Sequence, residues 1–144
     1  CAPVNSEEIN VMKKVIRDLL RTELDNLIVC ENKFSIKEVT GLGGTITTLA
    51  AIEKKLVKYD RQEIHNHSLS IDSVKTIMND LAGVNLEQRK KIRGLQPGRA
   101  DIIVTGTVIL LEIMAVLGFD RITVSEHDLL YGVIYQLAET LNEK

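Results

Sequence analysis

Apolar residues recur at helical intervals along much of the chain, and caps mark where the helices open. Ile9, Met12, Ile16, Leu19, Leu20 and Leu27 follow the helical period, with Glu23 as one polar interruption. The pattern predicts a first helix opened by Asn5 or Ser6 and running to about Asp25. Glu7 and Glu8 lie in its first turn, and Asn5 with Glu8 has capping-box spacing. Ile46, Leu49, Ala50, Leu56 and Val57 give a core face to a helix from Thr45 to about Lys58. Ser70 caps a third helix, with Ile71, Val74, Ile77, Met78 and Leu81 on one side and Gly83 at its end. Asn85 and Gln88 form another box, opening a short basic helix to about Arg93. The longest apolar run, Ile102 to Leu117, predicts a helix from about Arg99 that is buried on most sides and stopped by Gly118. Ser125 and Asp128, with Asp in the place of Glu, open a last helix to about Leu141. Between these lie the predicted strands Glu38 to Gly41 and Ile122 to Ser125, and a short extended segment from Glu63 to Ser68. Leu27 to Lys33 carries no clear signal, and Phe34-Ser35-Ile36 leads into the first strand.

Each of the two clear strands is followed at once by a helix. That is α/β grammar, with ligands expected at the carboxyl ends of the strands. So few strands imply either a small sheet or neighbours outside the chain. A first residue of Cys1 rather than Met points the same way, toward a piece of something longer. The 144 residues suffice for a single domain with a sizeable core. The run from Ile102 falls short of the roughly 18 uncharged residues of a membrane span. Aromatics at 3% and a net charge of −2 argue against nucleic-acid binding. Cys1 and Cys30 lack metal spacing, no signal peptide is visible, and a reducing cytoplasm is the natural reading.

Candidate chemistry concentrates in Val39-Thr40-Gly41-Leu42-Gly43-Gly44-Thr45. The glycines let the backbone approach something closely, and the first N–H groups of the following helix favour an anion. A plain strand-to-helix connector explains the same residues equally well. No Lys-Ser or Lys-Thr follows, so this is not a Walker A loop, and the third glycine of G-x-G-x-x-G is missing. Arg89, Lys90, Lys91, Arg93 and Arg99 form a basic cluster, read either as a solvated helix face or as a track for polyphosphate. Arg99 either pairs with Asp101 or Glu87 or meets phosphate, which suits a guanidinium fork. His65 and His67 would share one face of a strand, but two imidazoles do not make a zinc site. Asp101 reads as a first-turn dipole partner, Thr105 and Thr107 as core hydroxyls bonded to the preceding turn, and Cys30 as inert.

Taken together, Gly41-Leu42-Gly43-Gly44-Thr45, Gly94-Leu95-Gln96-Pro97-Gly98-Arg99-Ala100-Asp101, Gly106, and Ser125 through Gly132 carry a resemblance. In this order and at these intervals they resemble the second domain of the Ppx/GppA family, the exopolyphosphatases and guanosine pentaphosphate phosphohydrolases. The resemblance covers about Glu38 to Tyr135, and the first helix more loosely. It implies a helix-rich α/β part of an actin-like ATPase (ribonuclease H-like) domain. It also implies a two-domain phosphatase that removes terminal phosphate from polyphosphate or guanosine pentaphosphate in an interdomain cleft, usually with Mg²⁺. The family's first domain supplies one phosphate loop and the carboxylate that activates water, and an Asp-x-Gly-Gly-Gly-Ser loop opens its second domain. Neither loop is found here. The expectation is therefore a second domain, residues 1–144, without the first domain or the opening strands of the second, and with no catalytic residue or metal ligand of its own. Gly43, Gly44 and Thr45 match the family's nucleotide-side turn, Arg99 the arginine of its Arg-Ala-Asp motif, and Ser125 the serine ending its last strand. The Arg-Glu pair common in the family after the leucine matching Leu129 is replaced here by Leu130-Tyr131. Two function classes follow: the phosphate-binding side of a hydrolase, or a non-catalytic nucleotide-sensing domain of the same fold. Polyphosphate or guanosine phosphates are the implied partners, with no membrane or nucleic acid and with a homodimer left open.

Overall fold

The computed structural model describes residues 3–28 and 38–142. Helix α1 (Ser6–Ile28) opens the chain, and strand β1 (Thr40–Leu42) leads into α2 (Gly44–Glu53). A single turn α3 (Arg61–Ile64) precedes β2 (Ser68–Ser70), which runs directly into α4 (Ile71–Ala82). A second single turn, α5 (Leu86–Arg89), and a 3-10 turn (Pro97–Arg99) lead to α6 (Ile103–Leu117). Strand β3 (Arg121–Ser125) and α7 (Leu129–Asn142) complete the order. The result is a helix-rich α/β domain around a mixed three-stranded sheet ordered β1-β3-β2. β1 pairs parallel to β3 with Leu42 opposite Ser125, so both strands end at the same edge. β2 lies antiparallel on the other side of β3.

The caps explain most of the boundaries. Asn5 Oδ1 accepts from Glu7 N at 3.0 Å while Asn5 N donates to Glu8 Oε2 at 3.3 Å. Ser70 Oγ accepts from Ser73 N at 3.1 Å to open α4, and Asn85 and Gln88 close a reciprocal box. Gly118 ends α6 in the left-handed region at φ 75°.

Several expectations need correction. The first strand begins two residues later than predicted and includes Leu42. Helix α2 stops at Glu53 because Lys55 turns left-handed at φ 52°, letting Leu56 N donate to Ala51 O at 3.0 Å. Val57 is consequently 88% exposed instead of lining the core. The segment expected to be extended from Glu63 begins as α3, because Asp60 Oδ1 accepts from Gln62 N at 2.9 Å. The basic helix ends at Arg89, and α6 begins at Ile103 after the 3-10 turn. Helix α7 is capped by Asp128, whose Oδ1 accepts from Leu130 N. The Ser125 hydroxyl instead accepts from His127 N at 3.1 Å. The tract from Val29 to Lys37, with Cys30 and the Phe34-Ser35-Ile36 lead, lies outside the described residues, as does Cys1.

The core fills the space between α2, α4, α6 and one face of the sheet. Leu49, Val74, Leu81, Ile103, Val108, Met114, Ile122 and Val124 are nearly or completely inaccessible. Thr107 Oγ1 donates to Ile103 O at 2.7 Å, as predicted, whereas Thr105 is exposed and reaches Met12 Sδ at 3.8 Å. Two charges sit inside this packing. Arg89 is buried and donates to the carbonyls of Leu81, Ala100 and Val84 at 2.9, 2.9 and 3.1 Å, which ties α4 and α5 to the turn before α6. Burial lowers its pKa from the ordinary value, but a guanidinium has ample margin to remain charged. Arg89 therefore leaves the surface basic cluster and becomes a structural post. Glu112, buried on α6, is met by Arg17 of α1 through Nε at 2.9 Å and Nη2 at 2.8 Å.

Candidate functional site

The parallel pair β1–β3 delivers two chain segments to one edge of the sheet. From β1 the chain enters Gly43, whose φ of 99° and ψ of 164° suit glycine alone. Gly44 then opens α2. Thr47 N donates to Gly43 O at 3.2 Å, and the Thr48 hydroxyl folds back on Gly44 O. Gly43 holds no side-chain cap over the first turn of this helix.

Arg99 covers that turn. A side chain at Gly44 would put its Cβ 1.8 Å from Arg99 Nη1 and 2.4 Å from Cζ, so the guanidinium rests directly on the Gly44 backbone. Gly44 is therefore needed for close approach, and the group approaching is an arginine of the same chain. Arg99 reaches this place because Pro97 and Gly98 form a tight turn behind it, and Gln96 Oε1 accepts from its Nε at 3.4 Å. Neither of the expected acids meets it. Asp101 Oδ1 accepts from Ile102 N at 3.0 Å, and Glu87 pairs with Lys90 at 2.7 Å. Among the described residues Arg99 has no carboxylate partner within 4.0 Å. It sits at the N-terminal end of α2, where the dipole disfavours an uncompensated cation.

Thr45 packs against Gly106 of α6, where an added Cβ would lie 2.6 Å from Thr45 Oγ1. This crossing sets the floor of a shallow groove of about 270 Å³, lined by Leu42, Gly43, Gly44, Thr45, Gly106 and Ile109 among others. Gly94 has φ 86°, and a Cβ there would come 2.2 Å from Ala51 O, so the loop carrying Arg99 lies flat on the end of α2. Gly43, Gly44, Thr45 and Arg99 thus meet at one place. Ser125 stands one strand away, at the end of β3.

The histidines separate. His67 Nε2 pairs with Glu53 Oε2, while His65 turns toward the end of β3. Its Nδ1 accepts from Glu126 N at 3.3 Å, and its ring stacks on His127 with centroids 4.3 Å apart. His127 in turn stacks on Tyr131 at 4.5 Å. The Glu126 carboxylate accepts from Tyr59 and lies 3.8 Å from Arg61 Nε. Burial, then the Glu126 hydrogen bond, raises the Tyr59 pKa above its ordinary value of 10.0. Sequence spacing could not find this cluster, because only the β2–β3 pairing brings residues 59–65 against residues 126–131. No group of three or more His, Cys, Asp or Glu among the described residues is placed to hold a metal. No helix among them is long and apolar enough to cross a membrane.

Comparison with known proteins bears on the family and the fold. The profile of the Ppx/GppA phosphatase family matches residues 3–141. Exopolyphosphatase 2 of Mycobacterium tuberculosis is 30% identical over 140 residues, covering 94% of this chain and 43% of that protein. A bifunctional 3-dehydroquinate synthase/phosphatase of Fusobacterium nucleatum is 37% identical over 101 residues, covering 69% of this chain and 15% of that protein. Among solved structures, an Aquifex aeolicus Ppx/GppA enzyme superposes with a TM-score of 0.77 at 30% identity, covering 90% of this chain and 41% of the other. The chain thus spans about two fifths of the length of the exopolyphosphatase and Aquifex relatives. With the profile matched almost end to end and the fold shared, the chain belongs to the Ppx/GppA phosphatase family.

Proposed function

We propose that this chain forms the phosphate-binding wall of a phosphoanhydride hydrolase acting on polyphosphate or guanosine pentaphosphate. In this reading Gly43, Gly44, Thr45 and Arg99 hold the anion, and Ser125 marks the same edge of the sheet. The observation that carries it is Arg99, lying on the N-terminal turn of α2 with no acid beside it among the described residues. A phosphate oxygen there would receive charged hydrogen bonds from the guanidinium and would complement the helix dipole. The carboxylate that activates water and the remaining phosphate loop belong, in this proposal, to a first domain outside these 144 residues. The exposed apolar side chains of α7, among them Leu130, Val133, Ile134, Leu137 and Leu141, fit a surface that such a domain covers. No group of three or more His, Cys, Asp or Glu among the described residues is placed to hold Mg²⁺, and in this proposal its ligands belong to the first domain as well.

The test is calorimetric titration of the complete protein carrying this chain, with guanosine pentaphosphate and with short polyphosphate. Arg99→Gln lowers affinity by about 1.5–3 kcal/mol, the scale of a charged hydrogen bond, and less at high salt. Residues 1–144 alone release no phosphate from either substrate. Unchanged affinity of the mutant at an unchanged Tm removes Arg99 from the site, and turnover by residues 1–144 alone overturns the division of labour.

A further inference from the structure

We propose that the end of the domain away from Arg99 holds a second ligand site, one that takes a phosphate monoester with a hydrogen-bonding body, such as a nucleoside monophosphate. The site is a cavity of about 680 Å³ between the end of α2, helix α4 and the loop after α5. It lies at the other edge of the sheet from the glycine turn. Ser70 on its lining pairs with Arg121 at the start of β3, whereas Leu42 pairs with Ser125 at the end of β3. The length of α2, about 15 Å, separates the two places.

Ile52, Ile77 and Ile92 give the cavity an apolar surface. Most of the polar lining is already engaged. Glu53 pairs with His67 and Asp72 with Lys75, while the Ser70 hydroxyl donates to Ser73 Oγ and Thr76 Oγ1 donates to Asp72 O. Three charges remain. Lys55 and Arg93 have no carboxylate, and Asp80 has no cation, within 4.0 Å among the described residues.

Lys55 is the residue that points to a ligand. It stands just past the cap of α2 at φ 52°, where glycine is the usual choice. Glycine would make the same turn without strain, so what the lysine adds is its side chain. The dipole of α2 also favours a cation at this end, but Lys54, at φ −75°, serves it without strain. An ammonium and a guanidinium from two different segments suit a phosphate dianion. Glu53, Asp72 and Asp80 repel a polyanion such as polyphosphate, which limits the ligand to one phosphate group. Asp80 is left to accept from hydroxyl or amino donors on the body of the ligand, which lies on the isoleucines.

The experiment is isoleucine-methyl NMR on the complete protein carrying this chain, titrated with AMP, with adenosine and with inorganic phosphate. The methyls of Ile52, Ile77 and Ile92 report on this cavity, and those of Ile46 and Ile109 on the groove beside Gly44. AMP shifts the first set and saturates, while adenosine and phosphate each bind the cavity more weakly. Arg93→Gln and Lys55→Gly each weaken AMP about tenfold, the scale of one charged hydrogen bond. Lys55→Gly also raises Tm, because glycine relieves the left-handed turn, so lost binding cannot be put down to lost folding. Cavity methyls that AMP leaves in place overturn the proposal, whichever other methyls respond. Adenosine binding there as tightly as AMP overturns it, as does full AMP affinity in both variants, which leaves Lys55 a partner of the helix dipole alone.

Discussion

Placing a methyl group at Gly44 tests the contact between the glycine turn and Arg99 without touching either end of the guanidinium chemistry. In Gly44→Ala the new Cβ would occupy a point 1.8 Å from Arg99 Nη1. A flexible side chain can retreat from such a clash, so the guanidinium swings off the turn and the backbone stays. Alanine in place of glycine in the first turn of α2 offsets part of any strain, because glycine costs about 0.5–1 kcal/mol more than alanine within a helix. Stability should therefore move by less than about 1 kcal/mol. Phosphate binding should fall by about 1.5–3 kcal/mol, the value of the charged hydrogen bonds that the displaced arginine no longer makes. The two readouts separate, which a general loss of folding would not produce. A double-mutant cycle with Arg99→Gln sharpens the assay, using titration with tripolyphosphate and a thermal melt on each variant. Once Arg99 is gone, Gly44→Ala has nothing left to displace, so the double mutant should bind no more weakly than Arg99→Gln alone. Additive losses, or full affinity in Gly44→Ala, would show that the arginine does not act from above this turn.

Two further outcomes follow from the packing. Gly94→Ala should destabilise by about 3 kcal/mol or more, since φ 86° disfavours a side chain and the Cβ would meet the Ala51 carbonyl at 2.2 Å, backbone that cannot step aside; a Tm within a degree or two of wild type would contradict this. Tyr59 is held protonated more firmly in the folded chain than in the unfolded one, so its contribution is complete below pH 10.0 and is lost as pH rises through the higher folded value. Tyr59→Phe should accordingly flatten the alkaline fall in stability, measured by urea unfolding from pH 8 to pH 11.5, and an identical slope in both proteins would refute the assignment.

What could be read ahead of the structure was what side chains signal locally. Asn5, Ser70, Asn85 and Gly118 mark their boundaries because the capping group lies within a few residues of what it caps. The end of α2 carries no such signal, because Lys55 adopts the left-handed region without being glycine and no residue type announces the stop. β2 spans only Ser68–Ser70, too short for an alternating pattern, and exists because β3 offers an edge. At the site, the turn and Arg99 were each legible, but their contact was not, since it depends on how Gly94 lays its loop across α2. In sequence Arg89 is one cation among Lys90, Lys91 and Arg93, with nothing local to set it apart. Only the fold shows three carbonyls converging on it.

The pair between Arg17 and Glu112 bears on how α1 is placed along α6. The faces that meet there are mostly apolar, with Ile9, Met12 and Ile16 spaced so that a slide of one helical turn, about 5.4 Å, would bring similar side chains to similar hollows. Dispersion and burial alone discriminate poorly between such positions. A carboxylate sunk in α6 does not, because displacing α1 by a turn in either direction strands it without its guanidinium, at a cost of several kcal/mol. One buried acid thus acts as an index pin, turning a greasy interface that tolerates several offsets into one with a single setting.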